Sequence, residues 1–454
     1  MRYLFFTNTP AHVHLYRHVV PRLAERGHEV LVLARDYGCT VDLLAYFGLP
    51  YRVYGRCDTT KTSLLRQLPR QYFSIFRQAR RYQPDVIFGM GAYAAHAGAI
   101  TGASTILVLD SEPTSLDHTI SRPFADALIT PEAFRKELGE NHYTFPGFKE
   151  CAYLHPEVYE PSGYGSDAAG PQSAGSQRSD YPPTLADAPL TNGGDATNGG
   201  KVKNGGNVTN GGKVTNGGKV ANSGDVTDGG EVTKGVRSEL GVGDDRYAIV
   251  RFNAFGSHHD LSEGGFTAAQ RRELVRSLAE HLTVLVSDEG EDLDLESLPA
   301  REFDLHPARL HDALAEADLL VADTQTMVTE AALLGTPAIR SNSFVGDDDM
   351  GNFLELERRG LVENVATFED VLDRASDLAA DEMTPRKWRR RRDEYVDELV
   401  NLTDVLVEVA EHHDDLDRVE GLSRRRKQSF GEEKEEATVE GQGDQDDAVA
   451  SPKS

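Results

Sequence analysis

The chain is poor in cysteine, positive charge and long apolar runs, and each shortage removes a class of function. Its 454 residues include three cysteines. Cys39, Cys57 and Cys151 are far apart with no C-x-x-C spacing, so neither a zinc site nor a disulfide framework is indicated, and a reducing compartment is expected. Lysine and arginine number 48 against 74 acidic residues, a formal net charge of −26. A chain of that sign is repelled by a phosphate backbone, so nucleic acid is not an expected partner. The acids are spread over every segment and lysine is scarce, the pattern of a surface kept soluble at high salt. No apolar run approaches the ~18 residues of a membrane span, and MRYLFFTNTPAHVHLYRHV lacks the apolar core of a signal peptide. The expected location is cytoplasmic, at most peripheral at the inner face of the membrane.

A hydrophobic content of 39% is enough for two cores of ordinary size. From Tyr3 to about Thr130 the runs YLFFT, EVLVLA, YRVY, DVIF, STILVL and ALIT read as strands. Between them HLYRHVVPRLAERG and SLLRQLPRQYFSIFRQARRY carry apolar residues at helical spacing. A second series, YAIVRF, TVLVS, DLLVA and PAI, begins near Tyr247. Strands alternating with helices predict an α/β fold of two doubly wound, Rossmann-like parallel sheets. The expected division is an N-terminal domain over 1–158, a Gly/Asn-rich linker over 159–242 and a second domain over 243–375. A helical segment over 376–413 and a charged tail over 414–454 follow. The linker contains hexads beginning NGGDAT, NGGKVK, NGGNVT; at most one valine per repeat buries too little surface to offset chain entropy, so disorder is expected there. The tail, nearly free of apolar residues, is expected to be disordered as well.

Ligands of open α/β sheets bind outside the carboxyl ends of the strands, so the turns at those ends supply the candidates. After the first strand come Asn8, Thr9 and His12, an imidazole placed to act as a general base. Gly91 and Tyr93 follow the fourth strand, and Asp110 and Glu112 follow the fifth, carboxylates able to orient a base or an acceptor. In the second domain Arg251, Asn253 and Ser257 form a candidate phosphate-facing turn. The stretch ADLLVADTQTMVTEAALLGTPAI, closing at Ile339, is a strand, turn, helix and strand whose polar corner presents helix N–H groups to an anion. Thr324, Gln325, Thr326 and Thr329 lie at that corner, and Glu330 is placed to accept hydrogen bonds from a diol. His258, His259 and Asp260, and likewise Asp347, Asp348 and Asp349, are metal-ligand types without a completing set, so neither a metal nor another cofactor is expected.

Taken together, AHVHLYRHVVPRLAERGHEVLVLAR, RQARRYQPDVIFGMGAYAAHAG and DTQTMVTEAALLGTPAIRSNSF resemble the GT-B glycosyltransferase superfamily. The likeness is greatest to the domain of unknown function 354 family, with the lipid-linked N-acetylglucosaminyltransferase of peptidoglycan synthesis and the UDP-N-acetylglucosamine 2-epimerases as relatives. The resemblance implies a metal-independent, inverting transferase acting on a UDP-sugar, with a polyprenyl-linked glycan as one acceptor class. By likeness His12 is the general base, Glu330 the ribose ligand and 324–329 the diphosphate loop. Asn352 then falls in the sugar-reading segment, where Met350 and Gly351 replace the family's glutamine-rich pattern. The basic segment 64–81, with Arg66, Arg70, Arg77, Arg80 and Arg81, sits where lipid-using transferases dock on membranes. Two other classes stay open, an epimerase or UDP-sugar hydrolase and a non-catalytic sugar-nucleotide-binding protein. The epimerases carry an aspartate where this chain has Gly91-Ala92-Tyr93, which weighs against the first.

Overall fold

The computed structural model describes residues 1–56, 61–159, 235–253, 265–290, 293–346 and 349–425, with side chains from 67 onward in the segment that starts at 61. The hexad repeats, Ser257, His258, His259, Asp260, Asp347, Asp348, Cys57 and the side chain of Arg66 lie outside the described residues, as does everything beyond 425.

The first sheet and its helices run β1 (Arg2–Thr7), α1 (Pro10–Tyr16), α2 (Val19–Glu25), β2 (Glu29–Asp36), α3 (Thr40–Tyr46), β3 (Tyr51–Arg56), α4 (Lys61–Tyr82) and β4 (Val86–Gly89). They continue through α5 (Ala92–Thr101), β5 (Ser104–Val108), α6 (Ser115–Ser121), β6 (Ala127–Pro131), β7 (His142–Phe145) and α7 (Cys151–Leu154). The second unit opens with α8 (Val236–Glu239), then β8 (Tyr247–Phe252), α9 (Ala268–Leu278), β9 (Thr283–Asp288), β10 (Ala300–Glu302), α10 (Leu310–Glu316), β11 (Leu319–Ala322) and α11 (Thr326–Leu334). β12 (Ala338–Arg340), α12 (Gly351–Arg358), β13 (Val362–Asn364), α13 (Phe368–Ala380), α14 (Thr384–Val396), α15 (Leu402–Glu411) and β14 (Ser423–Arg424) complete it.

Strand order in the first sheet is β14-β7-β6-β5-β4-β1-β2-β3, and in the second β10-β9-β8-β11-β12-β13. Pairing is parallel throughout except for β14, which runs antiparallel to β7. In both sheets the chain winds one way from the first strand, then returns past it. The winding reverses between β1 and β4, and again between β8 and β11. At such a point the loops leaving neighbouring strands diverge and open a crevice. The central strands are apolar on both faces, Leu4 and Phe6 packing with Ile75 and Ala94 of α4 and α5 while Tyr3 and Phe5 pack with Leu15 and Val19 on the other side. That accounts for their continuous rather than alternating hydrophobicity.

Three expectations need correction. The charged tail was to begin at 414, yet Leu416 and Val419 are buried and Ser423-Arg424 add a strand to β7, with the Arg425 N–H donating to His142 O at 2.8 Å. Two apolar side chains and a sheet edge suffice to hold a segment whose composition reads as unfolded. The linker was to extend to 242, but Val236, Leu240 and Val242 are buried in the core. The helical segment expected over 376–413 is broken, α14 and α15 being separate helices, because Val400 donates its N–H to Pro146 O at 3.0 Å and Asn401 caps α15 by accepting from Thr403 N at 3.1 Å.

α15 crosses back onto the first unit. Thr403 Oγ1 donates to Ala152 O at 2.6 Å and Tyr3 Oη to Ala410 O at 3.1 Å, while Arg22 pairs with Asp404 and Arg26 with Glu411. Among the described residues no helix is long and apolar enough to cross a membrane.

Candidate functional site

The carboxyl-end loops of the two sheets meet. On the first side Pro10 starts α1 immediately after Thr9, whose extended backbone (φ −144°) leaves its side chain uninvolved in capping. Asn8 is held from three directions: its N–H donates to His12 Nδ1 at 3.2 Å, Tyr54 Oη donates to its Oδ1 at 2.7 Å, and Arg35 Nε donates to its carbonyl at 3.1 Å. A backbone N–H can only donate, so His12 Nδ1 must hold a lone pair and the ring proton sits on Nε2. Burial, with Lys149 and Arg35 nearby and Asp110 opposing them, brings the His12 pKa down to about 3. The ring is therefore a neutral donor at Nε2. In this arrangement the nitrogen that carries the lone pair, Nδ1, is taken by Asn8.

Asp110, two residues past β5, ion-pairs through Oδ2 with Lys149. Lys149 Nζ also lies 3.1 Å from Glu150 Oε1. Burial disfavours the Lys149 ammonium, but Asp110 and Glu150 more than offset it and hold the charge firmly in place. Burial raises Glu150 to about 7 against the pull of Lys149, with Asp110 and Glu330 adding to the rise. Lys149 and Glu150 were absent from the sequence candidates. The available signal was a lysine, scarce in this chain, set in the apolar run Phe148-Lys149-Glu150-Cys151-Ala152-Tyr153-Leu154 after a strand.

Glu112 has a different task from Asp110. Its Oε1 accepts from Arg135 N at 3.0 Å and from Gly351 N, the first residue of α12, at 3.1 Å. A carboxylate of the first unit thus caps a helix of the second. Arg135 Nη1 adds a bond to Asp349 O at 3.1 Å. A Cβ on Gly351 would lie 1.7 Å from Ala133 O, so only glycine permits this approach. Gly91, at φ +149°, precedes α5, and its would-be Cβ meets Asp117 Oδ2 at 2.3 Å. Asp117, raised by burial, accepts from Ala92 N at 3.2 Å. Tyr93 donates to Gln71 Oε1 at 2.8 Å and lies against Tyr54 and Tyr72.

On the second side no side chain caps α11, whose N-cap is Gln325. Thr324 Oγ1 beside it is buried without a partner among the described residues. Asp323 accepts from Asn253 N at 2.7 Å and is lifted by burial to about 6. Thr329 is buried in the body of α11, behind the corner formed by Thr324, Gln325 and Thr326. Arg251 is engaged by Glu289 and Ser287. Glu330 is not an open carboxylate: Tyr153 Oη donates to its Oε1 at 2.9 Å and His311 Nε2 lies 3.0 Å from the same oxygen. Its Oε2 is buried and unpartnered, as is Oδ1 of Asn352 on the first turn of α12. Tyr153 belongs to the first unit, so Glu330 also joins the two sides. His14 packs edge-on to His311 with ring centroids 4.7 Å apart. Among the described residues no group of three or more His, Cys, Asp or Glu is arranged to hold a metal ion.

Two Rossmann-like sheets meeting at their carboxyl ends define a GT-B-like fold. Within it, residues 3–145 match the model of the family described as protein of unknown function DUF354. No curated protein matches the chain. Among solved structures, the S. aureus MnaA–UDP complex is similar over 91% of this chain and 97% of its own, with a TM-score of 0.57 at 8% identity. UDP-GlcNAc 2-epimerase from Neisseria meningitidis bound to UDP-GlcNAc covers 90% of this chain and 100% of its own, with a TM-score of 0.53 at 10% identity. The spinosyn forosaminyltransferase SpnP covers 90% and 98% respectively, with a TM-score of 0.52 at 14% identity. Identities this low speak for the fold alone.

Proposed function

We propose that the protein transfers a sugar from a UDP-sugar to an acceptor hydroxyl or phosphate, in the assembly of a cell-surface glycan whose carrier is a polyprenyl lipid. The observation that carries this is the start of α11: an uncapped helix terminus, the unpartnered Thr324 Oγ1 and, further along the helix, the unpartnered Oε2 of Glu330, whose other oxygen is bonded by Tyr153 of the first unit. The terminus receives the diphosphate and Glu330 Oε2 accepts from a ribose hydroxyl. Asp110 keeps Oδ2 on Lys149 and uses its other oxygen to take the acceptor proton. His12 donates from Nε2 to the reacting oxygens. The acceptor oxygen bonds to the anomeric carbon as the bond to the β-phosphate oxygen breaks, so configuration inverts and no covalent enzyme intermediate forms. The charge on departing UDP is met by the α11 terminus.

Calorimetric titration of UDP, UDP-N-acetylglucosamine and GDP in molar potassium chloride tests the donor site. UDP and its sugar bind, GDP binds more weakly, and Glu330→Gln costs roughly 10- to 100-fold in affinity, the worth of a hydrogen bond to a charged group. No uridine-nucleotide binding at any salt concentration sinks the proposal. One observation favours epimerase or hydrolase chemistry as the second reading. Asp117, brought from α6 to the Gly91-Ala92 turn, places in space the acid that the sequence lacks there. Consumption of UDP-sugar without any acceptor would select it.

Peripheral membrane contact belongs to the same proposal. Arg70, Phe73, Arg77, Arg80 and Arg81 are exposed on α4, and none of these arginines pairs with a carboxylate among the described residues. The protein is expected to float with vesicles rich in anionic lipid, and Arg70→Glu with Arg77→Glu to abolish it. Equal flotation of the reversed variant would dispose of the contact.

A further inference from the structure

The cleft carries more carboxylates than cations to match them. Asp110 and Glu150 share Lys149, and Glu150 Oε2 has no partner among the described residues. Glu330, whose Oε2 is equally unpartnered, faces Glu150 from α11 across the domain boundary, joined to α7 by Tyr153. On α1 the facing groups are His12, His14 and Arg17. Both histidines are neutral because burial lowers them, and Arg17 is spent on Tyr153 O at 3.1 Å and on His14 and His18. α15 meets α7 through Thr403, its acids Asp404 and Glu411 being turned to Arg22 and Arg26. Lys149 and Arg17 therefore face the three carboxylates Asp110, Glu150 and Glu330; Arg35 lies beyond His12 with its Nε on Asn8 O, and His311 on α10, 3.0 Å from Glu330 Oε1, adds a positive charge only when protonated. Burying an unbalanced charge is costly, and a proton on one carboxyl removes the imbalance.

We propose that Glu150 is that carboxyl, a positioning residue that takes up one proton as the dianionic nucleotide sugar enters the cleft, leaving Lys149 to Asp110 and the incoming diphosphate. The inference rests on the nucleotide-sugar reading. In the free protein Glu150 titrates near neutrality, at about 7. A dianion beside Lys149 raises it further. Binding and protonation are then linked, and the sign follows: affinity is highest below the free value and falls as pH rises through it, until the bound value is passed.

The test uses UDP-N-acetylglucosamine, whose diphosphate diester does not titrate in this range, and the full chain. Binding heats are measured in two buffers of different ionisation enthalpy, from pH 6.5 to about 8.5, because the slope of affinity against pH counts protons taken up. Wild type is expected to absorb close to one proton at the upper end, with Kd rising up to about tenfold per pH unit. Glu150→Gln, a permanent mimic of the protonated form, is expected to give buffer-independent heats and a flat Kd equal to the low-pH value of wild type. Glu150→Asp retains proton uptake. Nucleotide-sugar binding in wild type with no proton uptake overturns the proposal while leaving the donor site standing, and this needs no variant to fold. Uptake that persists in Glu150→Gln overturns it too. Absence of any binding removes both.

Discussion

Asp349→Ala is expected to destabilise the second domain by about 3–5 kcal/mol, the cost of stranding a buried charge. Arg340, fully buried at the end of β12, reaches Asp349 with both terminal nitrogens, at 2.6 and 3.0 Å. Its remaining partners are neutral: Asn364 Oδ1 at 2.9 Å, Asn342 Oδ1 at 3.3 Å, and the Phe353 ring with its centroid 3.7 Å away. None of these replaces a carboxylate for a guanidinium that water cannot reach. Asp349 also accepts from Met350 N at 2.7 Å, so the loss extends to the turn that starts α12. The chain's single tryptophan, Trp388, packs against the second sheet and donates to Leu361 O at 2.9 Å, which makes its fluorescence a reporter of this domain alone. Urea unfolding in molar potassium chloride should show an earlier Trp388 transition in the variant. The double replacement Arg340→Met with Asp349→Leu should recover most of the loss, since an apolar pair removes the stranded charge. A single variant that unfolds within about 0.5 kcal/mol of wild type would show that water or a neighbour satisfies Arg340 instead.

The same pair illustrates what a sequence conceals. Asp349 reads as one of three successive aspartates on a solvated loop, and nothing local marks it as the counter-ion of an arginine on a strand. Pairings of this kind are set by where the chain returns to, which no window of residues reports. The parallel sheets were legible because β1, β4, β5, β8 and β11 are buried on both faces and so read as apolar runs between amphipathic helices. β7, β10, β13 and β14 were not: β7 is buried but of mixed polarity (HYTF), and the other three, two or three residues long, lie mostly toward solvent, so none reads as an apolar run. The break between α14 and α15 was hidden because Tyr395, Leu399, Leu402 and Val405 keep a helical rhythm through it, all turned toward one core. Asp110, Glu112, His12 and Glu330 were singled out by their places at strand ends and on the helix after β11. Their work was not. Asp110 pairs with Lys149 while Glu112 accepts from Arg135 N and from Gly351 N across the boundary, and the tautomer of His12 depends on one backbone N–H.

That tautomer decides the second large effect. Asp110→Asn is expected to lower turnover roughly 10²- to 10⁴-fold, the contribution of a general base, while leaving UDP affinity within about twofold. His12 Nε2 carries a proton and Nδ1 is occupied by Asn8, so accepting another proton would require an imidazolium that burial and Lys149 disfavour. Asp110 is the carboxylate beside it, paired with Lys149 through Oδ2. Asparagine preserves the shape and one hydrogen bond but accepts no proton. The contrasting change, His12→Asn, keeps a donor near the reacting oxygens and should cost about tenfold, in proportion to one misplaced hydrogen bond. Release of UDP in the presence of acceptor measures both. A loss in His12→Asn as deep as in Asp110→Asn, together with a rate that falls with pH along a histidine titration, would return the base to His12 and require the Asn8 bond to open in the working complex. A full rate in Asp110→Asn would move the chemistry off this face of the cleft, toward Asp117 and the acceptor-independent reaction.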